Sequence, residues 1–205
     1  LLVFSQAATP TASFSLNPSG RSVNIYTDFT VGINVNSAAD QPINGVNLKL
    51  SYNTTQLTVK SITTTGTNFA ACPTATGTGG TIALTCYVNP PTTLTGTNLI
   101  ANVTFTAKVG SGSTTMAFIN ESALISKIAL SGTGENIWNG VTTGGTYTLT
   151  TPDTTPPTTV ITDPISTSGP LSGTKTITAT AVDSASTINR VEFLVDGVLK
   201  GSDTT

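Results

Sequence analysis

The chain has 205 residues, of which 37% are hydrophobic and only 9% charged, with a formal net charge of −2. So few cations leave no basic patch able to neutralise a run of phosphates, which argues against nucleic acid as a partner. Histidine is absent, which removes the Ser-His-Asp triad, the Cys-His pair and every His-ligated zinc or iron site.

At the start, LLVFSQAATPTA sets a short apolar run before small residues around Ala7, Ala8 and Ala12. It reads as the tail of a secretory signal, with an apolar first β-strand as the alternative, and residues 1–12 are expected to be a signal remnant or a disordered N-terminus. Elsewhere no segment approaches the roughly 18 consecutive apolar residues of a membrane span. A surface rich in Thr, Ser, Asn and Gly is typical of secreted bacterial β proteins, and the length suits two ordinary domains.

Period-two alternation then recurs, while helical periodicity is scarce. FTVGINV places Phe29, Val31, Ile33 and Val35 on one face; VNLKLSY does the same for Val46, Leu48, Leu50 and Tyr52, and VTFTAKV for Val103, Phe105, Ala107 and Val109. Each run predicts a half-buried strand whose other residues face water: Asn34 and Asn36, then Asn47, Lys49 and Ser51, then Thr104, Thr106 and Lys108. Turn signals separate the runs: NPSG at 17–20, the 38–44 loop, NPP at 89–91, GSGS at 110–113 and Gly144–Gly145. This spacing indicates an all-β sandwich.

Cys72 and Cys86 lie equidistant from Gly79, so a hairpin turning at Thr78, Gly79 and Gly80 sets them opposite each other on paired strands. That geometry favours a disulfide, in keeping with export; a buried pair of free thiols and a two-ligand metal site are the alternatives. The stretch from Glu121 to Ile128 reads as either a short helix or a distorted strand. TYTLT supplies a closing strand through Tyr147 and Leu149, which ends the first domain at about residue 150.

Residues 151–158 contain adjacent prolines, Pro156 and Pro157, and no apolar side chain, so they predict a semi-rigid linker. Beyond it, KTITATAVD and RVEFLVDG alternate again, with Ile177, Ala179 and Ala181, then Val191, Phe193 and Val195, facing one way. Asp196 and Gly197 form a hairpin signal because both accept positive φ. An immunoglobulin-like sandwich takes about 100 residues, so residues 159–205 are expected to be part of one.

Candidate sites divide by chemistry. For a protein partner, the polar faces of two strands are taken as one surface: Asn47, Lys49 and Ser51 with Asn102, Thr104, Thr106 and Lys108, the two lysines favouring an acidic partner. For polysaccharide, stacking needs exposed rings, and Trp138 in NIWNG and Tyr87 are the candidates, with Trp138 alternatively capping the edge of the core. Calcium could be held at the domain junction by Asp153, Asp163 and Asp183, and no other cofactor is expected. For catalysis, Glu121 and Glu135 are the carboxylates on offer, but nothing in the sequence builds a cleft around them, so an enzyme is not expected.

The segments ASFSLNPSG, FTVGINVNS, INGVNLKLSYNTTQLTVKSI, LIANVTFTAKV and GGTYTLT, in that order, resemble the cohesin module, a jelly-roll β-sandwich whose best-known members bind dockerin modules in cellulosome scaffoldins. The likeness runs from about Ala12 to Thr150, which sets the cohesin-like domain at residues 13–150. Its most specific pieces are LSYNTTQLTVKSI, similar to the family's Tyr-Asp-Pro turn followed by a Leu and a β-branched strand, and VTFTAKV. Both mark a fold, not an activity. The resemblance implies a non-catalytic recognition module with a dockerin-type partner, polysaccharide binding or structural display being the alternatives. Where dockerin-binding relatives carry an Asn/Asp pair on the strand before that turn, this chain has Gly45 and Asn47, and Asn53 replaces the acid of the turn. The region from DTTPPTTVIT to FLVDGVLKGSDTT looks like the bacterial immunoglobulin-like modules of secreted and surface proteins.

Overall fold

Successive strands of this chain can each bury only one side, so two layers must close on each other. The computed structural model describes residues 9–108, 110–120, 127–132, 134–165 and 169–204, with backbone alone for 127–130. The expectations for Ala7, Ala8, Val109 and Glu121 lie outside the described residues. The chain divides into two units, 1–151 and 152–205.

In the first unit, β1 (Ser13–Asn17), β3 (Asp28–Ser37), β8 (Gly96–Ala107) and β5 (Leu57–Thr63) form a four-stranded sheet in the order β1-β3-β8-β5. The second sheet has the order β2-β11-β9-β4-β7-β6, built from β2 (Gly20–Asn24), β11 (Thr143–Thr150), β9 (Gly112–Phe118), β4 (Ile43–Ser51), β7 (Thr81–Tyr87) and β6 (Ala71–Thr78); β10 (Lys127–Leu130) also pairs with β4. The alternating residues predicted to be apolar do face inward: Phe29, Val31, Ile33 and Val35 from β3, Val46, Leu48 and Leu50 from β4, and Val103, Phe105 and Ala107 from β8 are all buried. Rings interlock between the layers, Phe14 of β1 with Phe118 of β9 at 5.3 Å between centroids, and Phe29 of β3 with Tyr147 of β11 also at 5.3 Å. The β-sandwich expectation holds.

Two local expectations change. Of the stretch Glu121 to Ile128, left open between helix and strand, 121–126 lie outside the described residues, and Lys127 and Ile128 begin β10, which runs antiparallel to β4 with Lys127 opposite Asn47 and Ile128 opposite Val46. Ala12, assigned to the terminal segment, is wholly buried, and it is tied in on both sides: its N–H donates to the Ile137 carbonyl (3.1 Å) and its carbonyl accepts from Asn139 N–H (2.8 Å). The reason is long-range: residues 137–139 come alongside Ala12 from 125 or more positions away, a pairing no local pattern announces.

In the second unit, β12 (Thr158–Asp163) pairs with β13 (Thr178–Val182), and β14 (Val191–Val195) pairs with β15 (Val198–Asp203). Asp196 and Gly197 turn the second hairpin at φ 53° and 77°, the left-handed values the DG pair predicts. Its apolar residues Ile161, Ile177, Ala179, Ala181, Val191 and Phe193 line an open groove of about 540 Å³, and none of its described residues is buried.

Candidate functional site

β4 lies inside its sheet, with β7 along one side and β9 and β10 sharing the other. Because Val46, Leu48 and Leu50 point into the core, strand alternation turns Gly45, Asn47, Lys49 and Ser51 outward. The register supplies their neighbours: Tyr87, Thr85, Ala83 and Thr81 on β7 stand opposite Gly45, Asn47, Lys49 and Ser51 in turn. On β6, Ala71, Thr74, Thr76 and Thr78 stand opposite those same β7 residues. Asn47 is exposed and Lys49 and Ser51 half-buried, with the Ser51 hydroxyl donating to the Ala117 carbonyl at 3.0 Å. The result is a mainly hydroxyl and amide surface across β4, β7 and β6 with Lys49 as the one charge in those three strands, and Lys127 of β10 stands opposite Asn47 on the other side of β4.

The residues of β8 belong elsewhere. Asn102, Thr104, Thr106 and Lys108 face outward from the other sheet, so the single polar surface expected from both strands is corrected to two surfaces on opposite sides of the sandwich. Alternation tells which residues face water, but sheet membership depends on partners far away in sequence. The β8 face is largely self-satisfied. Thr106 donates to Asp28 Oδ1 (2.6 Å), Lys60 is paired with Asp28, the Thr30 and Thr104 hydroxyls are bonded at 2.9 Å, and Lys108 Nζ donates to the Thr54 carbonyl at 2.8 Å. The Lys60 ammonium, then the Thr106 hydroxyl, hold the Asp28 carboxyl below its ordinary value.

The hairpin of β6 and β7 turns at Gly79 and Gly80, with φ 60° and 83°, and Cys72 and Cys86 form the expected disulfide with Cα atoms 4.0 Å apart. The free-thiol and metal alternatives fall away.

Trp138 is only 5% exposed, its ring 5.8 Å from that of Phe14, and its indole N–H has no partner among the described residues. It caps the core, so the stacking-platform alternative is corrected: Ala12 pairs alongside Trp138, Phe14 packs against the ring, and the neighbouring Ile137 is wholly buried. Tyr87 is 44% exposed. Calcium coordination by Asp153, Asp163 and Asp183 together is corrected as well. Asp163 pairs with Thr178 at one end of the β12–β13 ladder, while Asp183 follows Val182, the partner of Thr158, at the other; five residues of strand put them roughly 16 Å apart. Asp153 accepts from Thr155 N–H at 2.9 Å, and Asp183 accepts from Ala185 N–H at 2.9 Å and from Ser186. These bonds, led by that from Ala185, lower the Asp183 pKa. Among the described residues no three His, Cys, Asp or Glu gather as metal ligands.

Residues 20–149 match the family model of the cohesin domain. The chain belongs to the cohesin family. Residues 157–205 match the model of the bacterial Ig domain. Among solved structures, the cohesin module resembles CaCohA2 from Clostridium acetobutylicum, at 18% identity over 69% of this chain and 92% of that one, with a TM-score of 0.51. It also resembles the cohesin module of a family 33 glycoside hydrolase from Clostridium perfringens, at 10% identity over 70% and 100% of the chains, TM-score 0.56. A third is the sixth cohesin of scaffoldin B from Acetivibrio cellulolyticus, solved in complex with a Cel5 dockerin mutant: 13% identity, 69% and 99% coverage, TM-score 0.53. Likenesses at this identity establish the fold. No curated protein matches the chain.

For this cohesin module, sequence reasoning missed the β6 and β7 neighbours of β4. The signal was present: in TIALTCY, Ile82, Leu84 and Cys86 alternate with Thr81, Ala83, Thr85 and Tyr87, and the inward three are buried. It also passed over Tyr26, which is 69% exposed in the turn between β2 and β3 at φ 62°.

Proposed function

We propose that residues 13–150 form a non-catalytic recognition module that takes a dockerin-type protein partner on the outer face of β4, β7 and β6. The module would act within an exported multidomain bacterial protein, in which the immunoglobulin-like region serves as a spacer. One observation carries the reading: the strand that the family resemblance marks for partner contact lies inside its sheet, so Asn47, Lys49 and Ser51 are flanked by further outward hydroxyls and not by an edge. A protein partner suits such a face because broad, moderately polar sheet faces bind by area and shape. The disulfide fits an oxidising compartment. Among the described residues no helix is long and apolar enough to cross a membrane. Burial of Trp138 leaves the polysaccharide alternative without its principal ring.

The test is a pull-down with the full chain as bait from secreted proteins of the source culture, with calcium and again with a chelator. Retention of a calcium-dependent protein carrying paired EF-hand-like loops is the expected result. Retention of nothing, or of the same proteins under both conditions, would refute the dockerin reading.

A further inference from the structure

Large apolar side chains exposed in the first unit are few among the described residues: Tyr26, Tyr87 and Val141. Tyr26 and Val141 lie in turns and loops, whereas Tyr87 stands on a sheet face, at the end of β7. Its two cross-strand neighbours are Gly45 on β4 and Ala71 on β6. Facing side chains in adjacent strands normally rise to similar heights and cover one another. A glycine and an alanine cannot do so, and the ring therefore rises from a low floor on both sides. The rows beyond it are Asn47 with Thr85 and Thr74, then Lys49 with Ala83 and Thr76, then Ser51 with Thr81 and Thr78. No carboxylate occurs anywhere in β4, β6 or β7.

Resting on the recognition reading above, we infer that Tyr87 is the energetic anchor of the interface and that the partner presents a contact surface without ammonium or guanidinium groups. That surface has a small apolar side chain seated beside the ring over Gly45 and Ala71, and hydroxyl or amide groups over the threonine rows. Tyrosine suits an anchor because it buries a large rigid area with only two rotatable torsions to fix. The lack of carboxylates sets the partner's chemistry. An ammonium or guanidinium brought against these threonine rows would lose water without gaining a carboxylate and would meet Lys49 as a like charge, which disfavours cationic surfaces. Such an interface is held by desolvation and hydrogen bonds, so ionic strength has little grip on it. Of the two lysines expected to select an acidic partner together, only Lys49 lies on this face, since Lys108 follows β8 of the other sheet.

The experiment is calorimetric titration of the full chain with each calcium-loaded dockerin module encoded by the source organism, for the wild type, Tyr87→Ala and Tyr87→Phe. The expected result is binding weakened roughly thirtyfold by Tyr87→Ala and retained within about threefold by Tyr87→Phe. Raising salt from about 0.05 M to about 0.5 M should change the wild-type affinity by less than about threefold. Wild-type affinity in Tyr87→Ala, or a loss of more than about tenfold with salt, overturns this inference while leaving the recognition reading in place. Absence of binding by the wild type overturns both. An unchanged Trp138 emission spectrum in each variant shows that the fold is intact.

Discussion

The Tyr147 hydroxyl donates a hydrogen bond to the Pro18 carbonyl at 2.6 Å, joining β11 to the turn between β1 and β2 across 129 positions of sequence. Tyr147 is fully buried, with its ring against Phe29. Burial, eased slightly by Arg21, pushes its pKa up to about 12. The neutral phenol is the form that folds. In the unfolded chain the group ionises near its ordinary value of 10.0, so above that pH the unfolded state binds fewer protons than the folded one and stability falls as pH rises. Thermal melts should show a Tm steady from about pH 7 to about pH 9 and falling through about pH 10 to 12, with a shallower fall in Tyr147→Phe. At neutral pH that variant should be less stable by about 1 kcal/mol, the net worth of a buried hydrogen bond.

Gly20 and Gly145 permit the parallel pairing of β2 with β11. A Cβ on Gly145 would lie 2.5 Å from the Ser19 carbonyl oxygen, and one on Gly20 would lie 2.6 Å from that of Thr146. In both cases the obstruction is backbone, held by the Thr146 N–H bond to Ser19 O at 3.0 Å. Gly145→Ala should destabilise by about 3 kcal/mol, at the upper end of overpacking penalties, measured by denaturant unfolding. A control at Gly66, where nothing lies within 4 Å, separates contact from conformation: its positive φ alone should cost about 1 kcal/mol.

The Cys72–Cys86 disulfide closes a short loop around the β6–β7 hairpin, the edge of the proposed interface. Constraint of the unfolded chain by a loop of this size contributes about 3 kcal/mol. Reduction, or the double substitution to Ala, should lower the denaturation midpoint accordingly and increase amide exchange first in β6, which has a neighbour on one side only. Equal exchange throughout the sheet would count against a local role.

Trp138 is the single tryptophan, and its burial against Phe14 gives a one-site optical probe. Its emission should be blue-shifted and poorly quenched by acrylamide, unchanged by soluble polysaccharides, and red-shifted on unfolding. A red native spectrum would contradict the burial of the indole.

Much of this architecture is local and could be read from the chain. Alternation in FTVGINV, VNLKLSY and VTFTAKV fixes the inward residues because successive side chains of any strand point to opposite sides. The Gly79–Gly80 and Asp196–Gly197 turns are likewise local, since positive φ restricts which residues can occupy them, and the first of them delivers the pairing of Cys72 with Cys86. The order of the cohesin-like segments, with Gly45 and Asn47 on the strand before the Tyr52–Asn53 turn, points to the contact strand before any coordinate is known. Tertiary structure alone decided what meets across long separations. It assigned β4 and β8 to different layers, which split one expected face into two; it brought Ala12 alongside Ile137 and Trp138 and so buried the one indole; and it set Asp163 and Asp183 at opposite ends of a ladder. It also placed Tyr87 between Gly45 and Ala71. A strand's own residues specify which of its sides is dry, but its neighbours are chosen by the packing of the whole core, and that choice determines which outward side chains form a common surface.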